Sequence, residues 1–111
     1  MVIGPKSYMG VVTPHGVQVR VREGTKEEIL DLRLGLVKRS PEEWMDPETG
    51  PEQLALAILA DATGDDAYAQ ARCKAFKEDF TWQLPIGGGW RIPFGEVKAW
   101  VTTHPLPPDD R

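Results

Sequence analysis

The run Leu54-Ala55-Leu56-Ala57-Ile58-Leu59-Ala60 is apolar around most of the circumference of a helix. Such a helix should be central and buried, so the rest of the chain must be built around it. Its ends are punctuated in the same direction. Thr49 or Gly50 can cap it, Pro51 suits its first turn, and Glu52 complements the positive end of its dipole. Gly64 supplies a left-handed stop. With 111 residues available, roughly two-thirds of the unfolded chain's surface can be buried, which is enough for one core without a staple. No disulfide staple is possible in any case, because Cys73 is the sole cysteine.

The segments on either side divide into strands before the central helix and helices after it. Tyr8 to Thr13 reads as a strand, Pro14-His15-Gly16 as a turn, and Val17 to Val21 as a second strand. In the second strand Val17, Val19 and Val21 alternate with Gln18, Arg20 and Arg22, which makes one face apolar and the other basic. Glu23 to Glu28 is polar and could hold one helical turn capped by Thr25. The alternation of Leu30, Leu32 and Leu34 predicts a third strand, with a helix over 27–36 as the competing reading.

After Gly64, Asp65 or Asp66 caps a helix from about Ala67 to Leu84, whose stripe is Ala69, Cys73, Phe76, Phe80 and Leu84. Pro85 and Gly87-Gly88-Gly89 break the chain, Trp90 to Ile92 is a short extended piece, and a third helix covers Pro93 to about Thr102. Residues 104–111 form a proline-rich tail. The expected architecture is α+β: a small antiparallel sheet of about three strands, then two longer helices and one short C-terminal helix, in a single domain over 1–103.

The formal net charge of −4 points away from a nucleic-acid binder. The distribution is uneven, however. Residues 1–39 hold seven basic and four acidic side chains, 40–71 hold eight acidic and none basic, and 72–111 hold six basic and five acidic. An acidic middle third either attracts a basic partner or serves as a solvated face. The lone thiol suits a reducing compartment, and no apolar run approaches a membrane span or a signal peptide, so the cytoplasm is the expected location. The absence of asparagine and the ten prolines fit a thermophile tendency, or equally a GC-rich genome.

Few residues suggest chemistry. His15 and His104 have no second ligand at helical or strand spacing. Cys73 lies in an apolar stripe and reads as a small buried hydrophobe rather than a thiolate. Gly87-Gly88-Gly89 lacks the preceding strand and the Lys-Ser/Thr step of a phosphate loop. Asp61, Asp65 and Asp66 could hold a hard cation between the two long helices, but capping explains at least one of them. No cofactor and no metal site are expected. Trp90 and Trp100 read as core, while Trp82 falls off its helix's apolar stripe. Trp44 and Met45 stand in the middle of an acidic loop with Glu42, Glu43, Asp46 and Glu48. They act either as interface anchors or as a plug folded back over the core.

Several of these residues also match a family pattern. Ser40-Pro41, Trp44, the run Gly50-Pro51-Glu52-Gln53-Leu54-Ala55-Leu56-Ala57-Ile58-Leu59, Phe76-Lys77, Leu84-Pro85, Trp90, and Val97 with Trp100 recur in that order, with Tyr8 and Gly10 upstream. In these the chain resembles an uncharacterised small-domain family of bacteria and their phages and plasmids. Its loop departs from the family's glycine- and aromatic-rich version, since it reads Glu42-Glu-Trp-Met-Asp-Pro-Glu-Thr49. The resemblance implies no assigned activity.

Three functions follow as expectations. The first is a non-enzymatic protein-interaction module, for instance a phage- or plasmid-borne inhibitor of a host protein. It would use Trp44, Met45 and the acidic residues around them against a partner with a basic surface. The second is a nucleic-acid-associated protein using Arg20, Arg22, Arg33, Lys38 and Arg39. The third is a small enzyme built on carboxylates. Oligomeric state is left open by the sequence.

Overall fold

A computed structural model describes residues 6–14, 16–30, 49–84 and 89–105. The chain forms β1 (Lys6–Thr13), β2 (Gly16–Glu23), β3 (Lys26–Ile29), α1 (Thr49–Thr63), α2 (Asp66–Asp79), a short 3-10 turn (Thr81–Gln83), β4 (Trp90–Pro93) and α3 (Phe94–Thr103). The four strands make one antiparallel sheet in the order β3-β2-β1-β4. This is the expected α+β class, with one strand more than the sequence suggested.

Two strands differ from expectation. The third strand is Lys26–Ile29, where the sequence suggested a turn of helix capped by Thr25. Gly24 sits at φ 64, inside the left-handed region, and with Thr25 it reverses the chain so that Glu23 faces Lys26. Leu30, the expected start of the third strand, directly follows β3, and its N–H donates to the Val19 carbonyl at 3.0 Å. Asp31 to Leu34 lie outside the described residues. The extended piece Trp90 to Ile92 belongs to β4, which closes the sheet by pairing Ser7 with Pro93 through Gly10 with Trp90.

Register fixes which residues share a face, because directly paired residues in antiparallel strands point the same way. Tyr8 faces Val21 and Ile92, and Gly10 faces Val19 and Trp90. Tyr8, Val19 and Ile92 are buried, and Val21 and Trp90 pack against them. The helices cover this side: the Tyr8 hydroxyl reaches Asp61 of α1, and its ring lies 6.4 Å from that of Phe94 in α3.

The apolar helix is as enclosed as its composition requires. Leu54 through Ala60 are each no more than 3% exposed. α2 turns back on α1 after Gly64 (φ 67) and is capped by Asp65, whose carboxylate accepts from the Tyr68 N–H at 3.1 Å. The stripe Ala69, Cys73 and Phe76 is buried, with Phe80 and Leu84 packed at its end. Past α2, the Thr81 hydroxyl donates to the Pro51 carbonyl at 2.6 Å, tying the 3-10 turn to the first turn of α1 in the interior. α3 joins the same core through Val97 and Trp100, and the Trp100 indole N–H donates to Asp79 at 2.6 Å. Beyond α3, Tyr68 and Arg72 donate to the carbonyls of His104 and Pro105 at 2.7 and 2.6 Å, and the His104 ring stacks on Trp100 at 3.9 Å.

Candidate functional site

Asp61 stands where α1 meets the sheet. It accepts from the Tyr8 hydroxyl at 2.7 Å and pairs with Lys6 at 3.0 Å, both through Oδ2. These contacts line one wall of a cleft of about 280 Å³ between the end of α1 and the β2–β3 hairpin, with Val21, Lys26 and Glu28 opposite. Lys26 and Glu28 are paired at 3.2 Å. The cleft is thus lined by two ion pairs, Lys6 with Asp61 and Lys26 with Glu28, and by the Glu23 carboxylate. Asp61 serves as a tie between sheet and helix, and Asp65 as a helix cap. Among the described residues no three His, Cys, Asp or Glu side chains converge on a point where a metal could sit. Cys73 is buried, and its thiol lies against the Gln70 carbonyl at 3.7 Å.

Tyr8 has a measurable consequence. Burial, then the bond to Asp61 and the Asp61 charge, push its phenol far above the ordinary value of 10. The folded chain therefore holds the Tyr8 proton at pH values where the unfolded chain releases it. Stability from this group is fully present below pH ~10 and falls as pH rises beyond it. Tyr8→Phe should flatten the alkaline limb of a stability–pH profile above pH ~10. Part of the limb should survive, because burial raises Tyr68 as well. An unchanged limb in Tyr8→Phe would show that Tyr8 is not held this way.

The opposite side of the sheet has a different chemistry. Paired register carries Ile29, Arg20, Met9 and Arg91 in one row across all four strands. The adjacent row is Glu27, Arg22, Ser7 and Pro93, and Val11 faces Gln18 beyond Met9. No described helix packs on this side. Arg22, Arg91 and Glu27 are exposed, and Arg20, Met9, Val11 and Gln18 are half-buried. Ile29 is 67% exposed, whereas Ser7, between Arg22 and Pro93, is buried at 3%.

The arginines are unequally engaged. Arg20 donates from Nε to Gln18 at 2.7 Å and pairs with Glu27 at 2.9 Å. Among the described residues, Arg22 donates to the Gly24 carbonyl of its own turn, at 3.3 Å. Arg91 makes no hydrogen bond or ion pair among the described residues. Arg20, Arg22 and Arg91 thus share a face with the half-buried Met9 and Val11, with the Glu27 carboxylate partly offsetting them.

Of the residues singled out in the sequence, the structure brings Arg20 and Arg22 together on one surface. Arg33, Lys38 and Arg39 lie outside the described residues, as do Glu42, Glu43, Trp44, Met45, Asp46 and Glu48. Arg91 and Met9 escaped sequence reasoning. The available signal was the alternation of Trp90, Arg91 and Ile92, which matches that of Tyr8, Met9 and Gly10 once the two strands are paired. Trp100 is core as expected, Trp90 is half-buried, and Trp82 is 59% exposed on the 3-10 turn, where it does not join the core.

Neither a curated protein nor a solved structure matches the chain. A family model described as a family of unknown function (DUF6166) matches residues 8–103. Within those bounds lie Tyr8, Leu54 to Leu59, Phe76, Val97 and Trp100, all of them core residues. The match therefore speaks for the fold and leaves the sheet face bearing Met9 without a role. On the strength of that coverage, the chain belongs to this family of unknown function.

Proposed function

We propose that the chain is a non-enzymatic binding module of the cytoplasm, and that it meets an anionic macromolecule with the side of the sheet that no described helix covers. One observation carries this reading: Arg20, Arg22 and Arg91 share that surface around Met9 and Val11. The net charge of −4 hides this arrangement. Residues 49–84 carry Glu52, Asp61, Asp65, Asp66, Glu78 and Asp79 against Arg72, Lys74 and Lys77, and Glu42, Glu43, Asp46 and Glu48 add four more carboxylates, so the negative excess lies in stretches of the chain other than these strands. A surface of one sign on a protein of the other sign steers a partner to one side. Arginine adds bidentate geometry that suits phosphate, sulfate and carboxylate alike. The carboxylate-enzyme reading finds no support, since Asp61 and Asp65 are already engaged in the fold.

Immobilised heparin, a generic polyanion, tests the reading. The protein should be retained at low salt despite its net charge, and Arg22→Glu with Arg91→Glu should pass through. Flow-through of the unaltered protein, or equal retention of the double variant, would refute it.

A further inference from the structure

A polyanion can be a nucleic acid or an acidic protein, and the geometry separates the two. An extended peptide gains affinity from its backbone N–H and C=O groups, which find partners at a sheet edge and not on a sheet face. A nucleic-acid strand carries its charge in the backbone itself, and its bases offer apolar faces that need no hydrogen-bond partner. The surface at hand is a face. Arg20 and Arg91 flank Met9 across two strand spacings, roughly 10 Å, and Arg22 lies two residues along β2 from Arg20, roughly 7 Å. Between and beside them are Met9 and Val11, both half-buried, and the exposed Ile29.

The edges are poorly suited to adding a peptide strand. β3 reads Lys26-Glu27-Glu28-Ile29, with all four residues exposed, and β4 is four residues long and ends in Pro93. Charges on β3 and a missing N–H on β4 oppose a further strand.

Resting on the reading above, we propose that this face binds single-stranded nucleic acid, with Arg22 and Arg91 as the principal phosphate contacts and Met9 and Val11 as a platform for bases. Glu27 restrains the affinity. It pairs with Arg20 at 2.9 Å and places a negative charge on the same face. No aromatic ring lies in the two central rows, so binding is governed by charge and tolerates different sequences. With three arginines engaged, the logarithm of affinity should fall with the logarithm of salt at a slope of about −2, from roughly 0.7 per phosphate on a single strand.

The experiment is fluorescence anisotropy of a labelled twenty-nucleotide oligothymidylate with the full chain, over a salt series. The unaltered protein should bind with that slope. Arg91→Glu should weaken binding at least tenfold, Arg91→Gln should weaken it less, and Glu27→Gln should tighten it severalfold. Arg91 has no described polar partner, so unchanged thermal unfolding of both Arg91 variants is expected and serves as the check on folding. Binding that ignores Arg91→Glu, or that Glu27→Gln weakens, overturns the proposal. So does tighter binding of labelled polyglutamate than of the oligonucleotide through the same arginines. In that last case the anionic-partner reading stands and its partner is an acidic protein. Absence of any binding together with loss of heparin retention removes both.

Discussion

Phe76→Ala should lower the unfolding free energy by about 3–5 kcal/mol, the range for removing a fully buried aromatic side chain. Phe76 is 0% exposed and belongs to the core cluster that holds residues of all three helices. Its ring stacks on Phe80 at 4.8 Å and meets Trp100 edge-on at 5.0 Å, so it joins α2 to α3. Truncation would remove both ring contacts and leave a cavity that Phe80 and Trp100 cannot close without abandoning their own partners. Trp100 is held by its indole bond to Asp79 at 2.6 Å and by the stacked His104 ring. For a domain this size each kcal/mol is worth roughly 4–8 °C, so the midpoint should drop by more than about 10 °C. Phe76→Leu keeps most of the volume and should cost under about 1.5 kcal/mol. Urea unfolding of the three proteins checks the ranking. A loss below about 1 kcal/mol for Phe76→Ala would mean that the helices do not converge on this ring.

The second large effect is at the other end of the core. A Cβ at Gly10 would fall 2.2 Å from Nε1 and 2.5 Å from Cε2 of Trp90, its partner across the β1–β4 pair. The indole lies flat over the glycine and uses the space a side chain would take, the known device of an aromatic covering a strand glycine. Gly10→Ala should therefore cost about 1–3 kcal/mol as the indole is pushed aside, and Gly10→Val more. The cause is separable from any general intolerance at position 10. In a Trp90→Leu background the cost of Gly10→Ala should shrink by at least about 1 kcal/mol, because the obstructing ring is gone. Additive losses would show that the two residues do not meet.

These two sites also explain what could be read from the sequence. The helix starts were legible because each carries its own punctuation, Pro51 in α1, Asp65 before α2 and Pro93 before α3, whereas α2 stops at Asp79 and not at Leu84 as the apolar stripe suggested. The burial of Leu54 to Ala60 followed from composition alone. β3 went unread for a physical reason. It is an edge strand whose four side chains are all exposed, so it leaves no alternation to detect, and most of the alternating run Leu30 to Leu34 lies outside the described residues. The signal that does set β3 is Gly24 with Thr25, a two-residue reversal that competes with a helix cap at Thr25.

β4 pairs with a strand some eighty residues earlier, and nothing local in Trp90-Arg91-Ile92 announces that partner. The candidate site inherits the same gap. Arg20 and Arg22 declare their face through the valines between them, but Arg91 joins them only once β4 is in register with β1. The net charge of −4 is a sum over the whole chain and says nothing of how the arginines are placed on this face.

The central claim is that the working surface is the sheet side bearing Met9. Methionine methyl signals address it directly, because the chain has three methionines: Met1, Met9 in the middle of that surface, and Met45 in the acidic segment that the sequence offered as an alternative. In a titration of methyl-labelled protein with the oligothymidylate, the Met9 signal should move in proportion to occupancy while Met45 stays fixed. A moving Met45 beside a stationary Met9 would contradict the account and assign the contact to the acidic segment.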